Sequence, residues 1–278
     1  MNYIQYTFKI EPFSDDIKDV IIALLSENGF EGFVEKENEI EAYINENNDK
    51  NIIIDNILGL INTDIEINYT SKTIEQQNWN AIWESNYEPV FINKKVAVIA
   101  PFHSYPIDYE YVITISPKMS FGTGHHETTS LIITLMLDIN FKDKKVLDVG
   151  CGTGILGILA EKFGSTIVTC IDNDINAVDN AKENVTKNNC KNIQVFKGDA
   201  NSIPSMQYDI ILSNITKDVL TKDIPKYCMH LINGGLLLLS GFFVDDLKSI
   251  EMICKNEGLI LSDKIEKNNW LGCCFSML

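Results

Sequence analysis

The sequence contains no arginine: all 23 basic residues are lysine, against 39 acidic residues, and the formal net charge is −16. Arginine supplies the planar fork that grips phosphate and guanine at two points, so its absence weighs against direct contact with nucleic acid. A nucleic-acid backbone also needs a basic face, which this charge balance does not provide. Long apolar runs are missing too; stretches such as 236–239 and 96–102 fall well short of a membrane span. The first ten residues alternate polar and apolar, with no basic segment leading into an apolar block, so no signal peptide is expected. A cytoplasmic protein with no membrane partner follows as the expectation. Paired cysteines are absent as well. The seven cysteines are scattered, Cys273-Cys274 is the one close pair, and no CxxC spacing occurs. Neither a zinc site nor a redox pair is expected, only reduced thiols.

What is present is a chain of 278 residues that is 45 % hydrophobic, enough for a sizeable core. Residues 1–71 read as a separate unit. Strand patterns over 3–10, 30–35, 39–45 and 64–70 enclose a helix capped by Ser14 and a possible second helix over 52–60. The order βαββαβ predicts a small ferredoxin-like α+β sandwich. With 15 carboxylates and four lysines this unit carries −11 of the total charge, which suits a basic partner or serves solubility alone. Residues 72–90 read as a linking helix bearing Trp79 and Trp83 at i, i+4. Segments 91–101 and 109–115 read as strands of a hairpin or of an entry segment. From Thr128 onward helix and strand patterns alternate to the C-terminus. Residues 91–278 are thus expected to form a doubly wound α/β domain with a mostly parallel, seven-stranded sheet.

The chemistry concentrates after a strand over 145–149, in Gly150-Cys-Gly-Thr-Gly154. These glycines let the backbone turn sharply and approach a ligand closely, with the next helix pointing its N-terminus at it. The following strand ends at Asp172, whose carboxylate can accept from a ribose diol. A dinucleotide-binding fingerprint competes: Gly152-Thr-Gly-Ile-Leu-Gly157 matches GxGxxG, and Asp172 lies 20 residues after Gly152. Against it, the strand is expected to end at Val149, which puts the turn two residues earlier. Asp148, at the strand's last turn, also suits a cationic ligand better than a pyrophosphate. S-adenosyl-L-methionine carries a sulfonium and an amine and no phosphate. Further along, Asp199 follows the third strand, within reach of an adenine amine or simply in a turn. Asn214 follows the fourth strand, at the carboxyl edge where open α/β sheets place reacting groups, or caps the next helix.

The segment Phe121-Gly-Thr-Gly-His-His-Glu-Thr-Thr129 resembles the F-G-T-G-T-H-P-T-T signature of the bacterial (PrmA-like) class I methyltransferases that modify large-subunit ribosomal protein eleven. The loop 148–157 and Asn214-Ile215 match that family at corresponding spacings, and the three-part plan of the chain is similar. The resemblance implies an S-adenosyl-L-methionine-dependent enzyme that methylates lysine side chains and N-terminal amines of that ribosomal protein, with the small domain gripping it. It implies cofactor contacts at Thr129, Gly150, Asp172 and Asn214, beside Gly152 of the loop. Thr129 would close the methionine end of the pocket, and Asn214 is the best candidate to orient the acceptor amine. His125 stands for the family's Thr, Glu127 for its Pro, and Thr216 for its Leu. The His125-His126-Glu127 cluster has the wrong spacing for one helical face, so no metal is expected. A methyltransferase for another substrate and a non-catalytic cofactor-binding module are the competing functions.

Overall fold

A computed structural model describes residues 2–36, 38–49, 54, 59, 65–74, 87–103, 108–118 and 121–278. The chain divides into two compact units, Met1–Tyr87 and Glu88–Leu278.

In the first unit, β1 (Tyr3–Glu11), β2 (Phe30–Glu35), β3 (Glu39–Asn45) and β4 (Glu66–Ile74) form an antiparallel sheet in the order β2-β3-β1-β4. Helix α1 (Asp15–Glu27) starts where Ser14 Oγ accepts from the Ile17 amide at 3.3 Å. Its buried Ile21 and Leu25 join Tyr6, Phe8, Ile40 and Ala42 in the core. The boundary expected at residue 71 falls inside β4, which pairs with β1 as far as Tyr3↔Ile74. β4 is an edge strand with exposed positions, so its polar 70–73 stretch is compatible with a strand. The helix expected over 52–60 lies outside the described residues except for Ile54, which is helical, and Gly59. Trp79, Trp83 and the expected linking helix lie largely outside them too.

The second unit opens with a three-stranded sheet of β5 (Val90–Ile92), β6 (Val96–Ile99) and β7 (Tyr111–Thr114). Segment 91–101 is therefore a hairpin by itself, not one strand. Asn93 and Lys94 take positive φ (48° and 54°) at its turn, and β7 adds in parallel to β6. After α2 (Glu127–Met136) come β8 (Lys145–Val149), α3 (Ile155–Lys162), β9 (Ile167–Asp172), α4 (Ile175–Lys187), β10 (Ile193–Lys197), β11 (Tyr208–Asn214), α5 (Lys217–Met229), β12 (Leu231–Phe243), α6 (Leu247–Asn256), β13 (Leu259–Lys267) and β14 (Trp270–Met277). These strands form the expected doubly wound, mostly parallel seven-stranded sheet, in the order β10-β9-β8-β11-β12-β14-β13. Only the β14 pairings are antiparallel. Apolar side chains cover both faces: Val146, Ile158 and Val168 lie in one cluster, Leu147, Ile211 and Leu237 in another. Strand order reverses direction between β8 and β11, and a crevice opens at the carboxyl ends of such strands.

Candidate active site

A cleft of about 460 Å³ lies at this switch point, lined from β8, β9, β10, β11 and β12 by Gly150, Asp172, Asp199, Asn214 and Gly241, among others. β8 ends at Val149, and Gly150, Gly152 and Gly154 all have positive φ (71°, 54° and 78°). At Gly152 a Cβ would stand 2.3 Å from the Phe121 carbonyl oxygen, so only glycine lets the 121–126 loop cross the turn there. That crossing is hydrogen-bonded: the Thr153 amide donates to Phe121 O at 3.0 Å, and Thr153 Oγ1 donates to Gly122 O at 2.5 Å.

Asp172 reaches the same loop. Its Oδ2 accepts from the Gly152 amide at 2.8 Å and its Oδ1 from the Asp174 amide at 3.0 Å. Each oxygen keeps a lone pair for the cleft. Asp199 is both a turn residue and a cleft residue: it accepts from the Asn201 amide at 2.9 Å and from Ser202 Oγ at 3.2 Å while lining the cavity. The Asn201 amide leads the bonds that hold its carboxyl below the usual carboxylate range. With Asp174 and Asp223, four aspartates and no lysine stand among the described lining residues. This wall suits a cationic ligand and disfavours a pyrophosphate.

Asn214 sits at the end of β11. Its Nδ2 donates to Thr129 Oγ1 at 3.3 Å, while its Oδ1 is buried and unpaired. Thr129 is fully buried behind the wall, and its neighbours His126 and Thr128 line the cleft. The residue's visible task is to hold the Asn214 amide. Asn214 also does not cap α5, since Thr216 occupies that position.

Asp148 departs from expectation. It is 1 % exposed and does not line the cleft. Oδ2 accepts from the Gly157 amide at 3.1 Å, and Oδ1 is unpaired. Burial pushes its carboxyl up to about 7. The reason is alternation: Val149 faces the opposite side of β8 from Asp148, which points under α3. Gly157 of the rival fingerprint packs a helix on a strand, since a Cβ there would lie 2.4 Å from Cys170 Sγ.

Two lining residues, Gly241 and Trp270, carried no sequence signal, and His126 was marked only as part of the 121–129 signature. A Cβ on Gly241 would lie 2.1 Å from Ile215 O, so a bare β12 at this point lets the Asn214–Thr216 chain cross it. His126 caps α2 by accepting from the Thr128 amide, and its ring meets Trp270 edge-on at a centroid distance of 4.9 Å. Trp270 packs in turn on Phe243 at 4.1 Å. These pairs join positions far apart in sequence, which no local motif records.

The family model described as "Ribosomal protein L11 methyltransferase (PrmA)" matches residues 16–277. The chain belongs to that family. The ribosomal protein L11 methyltransferase of Phocaeicola vulgatus is 40 % identical over 282 residues, covering 100 % of both chains. That of Porphyromonas gingivalis is 39 % identical, covering 99 % of this chain and 98 % of its own. The crystal structure of ribosomal protein L11 methylase from Lactobacillus delbrueckii subsp. bulgaricus superimposes with a TM-score of 0.65 at 26 % identity, over 69 % of this chain and 99 % of that one.

Within the PrmA family frame, the departures from the signature find partners of their own. His125 Nε2 lies 2.9 Å from the Glu88 carbonyl oxygen, and Nδ1 lies 3.2 Å from Thr123 Oγ1. Glu127 Oε1 accepts from Asn268 Nδ2 at 3.0 Å, and that bond leads the lowering of its pKa. An acid in the first turn of α2 also suits the helix dipole. Among the described residues no group of His, Cys, Asp and Glu is placed to hold a metal ion, and no helix is long and apolar enough to cross a membrane.

Proposed function

We propose that this chain transfers methyl groups from S-adenosyl-L-methionine to amines of ribosomal protein L11, on lysine side chains and the N-terminal α-amine. The carrying observation is the unpaired, buried Oδ1 of Asn214 at the rim of an acidic cleft. A buried carbonyl without a donor costs free energy, and an acceptor amine bound beside it supplies that donor. The cleft fits the cofactor by its polar groups: carboxylates to accept from hydroxyl and amine groups, glycines at the close approach, and no lysine for a phosphate among the described lining residues. When bound, the cofactor supplies an activated methyl group on a sulfonium. The chain's own residues then position and exclude water. Asp172 accepts from the ribose hydroxyls, Gly150 and Gly152 admit the cofactor backbone-close, and Asn214 turns the amine's lone pair toward the methyl carbon. Thr129 fixes the Asn214 side chain. The amine must arrive neutral, because an ammonium has no lone pair; its ordinary pKa is about 10.4, and desolvation in the cleft lowers it.

The first unit, through β4 to Ile74, serves as the recognition domain in this proposal, the segment that follows as the link, and the second unit as the catalytic domain. The β2-β3-β1-β4 order supports the ferredoxin-like assignment of the first. A ribosomal protein as substrate supports a cytoplasmic location for the enzyme in this proposal. Incubation with methyl-labelled cofactor and purified ribosomal protein L11 should label lysines and the N-terminus of L11. Label on other proteins but not on L11 would overturn the substrate assignment. No transfer to any protein, with cofactor bound, would favour a binding module.

A further inference from the structure

Helix α4 turns an unusual face toward the glycine loop. Asn180, Asn184 and Asn188 follow one another at four-residue intervals, the last just past the helix end. Asn184 is fully buried. Its Oδ1 accepts from the Ser116 amide at 2.9 Å, and its Nδ2 donates to the Thr153 carbonyl at 3.0 Å and to Asn180 Oδ1 at 3.3 Å. Asn188 grips Thr114, two residues earlier in the same segment, with Oδ1 accepting from its amide at 2.9 Å and Nδ2 donating to its carbonyl at 2.7 Å. A side-chain amide carries the same donor and acceptor as a peptide, so the two asparagines stand in for a neighbouring strand along 114–116.

Only Asn184 of the pair also touches the glycine loop. Thr153 is thereby held on every polar group: its amide and hydroxyl by the Phe121 and Gly122 carbonyls, its carbonyl by Asn184. Thr153 lies between Gly152, whose amide meets Asp172, and Gly154, which starts α3. Packing does not call for an amide at 184. Apart from Asn180, the other buried positions of α4 are the apolar Ala177, Val178 and Ala181, and an apolar residue at 184 would leave the Ser116 amide and the Thr153 carbonyl unpaired.

We infer that Asn184 is a positioning residue for the cofactor site: its amide sets the height of the Gly152–Gly154 turn and ties it to the segment leading into 121–126. The inference rests on the cleft being the cofactor site. It is tested in the full-length chain with Asn184→Ala, Asn184→Asp and Asn188→Ala. The aspartate keeps the acceptor for Ser116 and loses the donor to Thr153, so it remains a probe of the loop should the alanine variant fail to fold. Binding of S-adenosyl-L-methionine is measured by calorimetry well below each melting transition, with KM for the cofactor and kcat beside it. Both Asn184 variants should weaken cofactor binding about tenfold or more, with KM rising more than kcat falls. Asn188→Ala should lower the melting temperature and leave cofactor affinity within about twofold. Wild-type affinity in the Asn184 variants, or an equal loss in Asn188→Ala, would overturn the assignment and leave the asparagines as a structural seam. Should the wild-type chain bind no cofactor, the proposed function fails on its own. The loop relation is then read from hydrogen exchange of the Gly152 and Thr153 amides, which Asn184→Asp should accelerate and Asn188→Ala should not; equal exchange would overturn it.

Discussion

In the first unit the charged side chains lie on the surface and pair there: Lys18 with Asp15 and Glu35 at 3.1 and 2.9 Å, Lys9 with Glu39 at 3.2 Å. In the second unit the informative polar groups are inside. Thr129, Asp148, Asn184 and Ser213 are all nearly or fully buried, and most are held by hydrogen bonds around one cleft. Surface pairs contribute little to stability, about 0–1 kcal/mol each, so charge in the first unit is free to act at a distance. Buried polar groups must be satisfied or they cost, so their arrangement in the second unit is tightly constrained. The proposed function gives encounter with the substrate to one unit and chemistry to the other, in keeping with this contrast, and each half of that proposal can be broken.

The largest effect should come from Asn214→Ala. If the unpaired Oδ1 orients the acceptor, its loss should slow single-turnover methyl transfer on the order of 10²–10³-fold, the range seen when one preorganised hydrogen-bonding group is removed from an active site. The melting temperature should fall only slightly, because the variant deletes an unsatisfied buried atom together with one long hydrogen bond, the 3.3 Å contact to Thr129. Unchanged turnover would reduce Asn214 to a spacer.

Asp172→Ala should follow, weakening cofactor binding by about 1.5–3 kcal/mol, the worth of hydrogen bonds to a charged group. Part of that loss comes through the Gly152 amide, which loses its 2.8 Å acceptor. Titration calorimetry giving wild-type affinity would remove Asp172 from the site and weaken the contrast between the units.

Asp148 tests how the second unit tolerates a buried acid. Its carboxyl is pushed up to about 7 from an ordinary 3.8 because burial disfavours the charged form. The folded state thus binds a proton that the unfolded state has released. Stability from this site is fully present below the ordinary carboxylate range and is lost as pH rises through 7. Asp148→Asn keeps an acceptor for the Gly157 amide and cannot ionise. Relative to their difference at pH 5, it should gain about 2.7 kcal/mol over wild type by pH 8, at about 1.4 kcal/mol for each of the two pH units crossed below 7. Urea melts that run parallel at both pH values would show that Asp148 stays ionised when folded.

The sequence carried the sheet of the second unit well, because alternating helix and strand periods are local. It also carried the glycine turn, Asp172 and Asn214, which sit at strand ends where function gathers in this kind of sheet. It misled at Asp148: Val146, Leu147 and Val149 are buried on both faces of β8, so no alternation shows which way the acid points. It was silent on Gly241 and Asn184, whose importance lies in meeting Ile215 and Ser116, partners distant along the chain. The hairpin at 93–95 escaped because Asn93 and Lys94 adopt positive φ without a glycine to announce it. The misses at Gly241 and Asn184 share one physical origin, a contact made only once the chain has folded.

The smallest effect should come from the charge on the first unit. Residues 1–71 carry 15 carboxylates and four lysines, a net −11 of the chain's −16. A ribosomal protein is generally basic, so opposite charges should speed encounter without changing the chemical step. Screening over a Debye length of about 8 Å at physiological salt makes this adjustable. Raising salt should lower kcat/KM for ribosomal protein L11 several-fold and leave kcat at saturating L11 nearly unchanged. Asp19 and Glu27 are exposed acids of α1, remote in sequence from every residue of the cleft. The double variant Asp19→Asn, Glu27→Gln should reduce the slope of kcat/KM against salt while cofactor affinity stays at the wild-type value. Binding of the cofactor supplies the internal control, because the described lining residues of the cleft belong to the second unit. A salt slope that the double variant does not change would mean these two acids do no steering. A kcat/KM with no salt dependence at all would leave the acidity of the first unit as a solubility device, and recognition of L11 would then have to rest on shape and apolar contact.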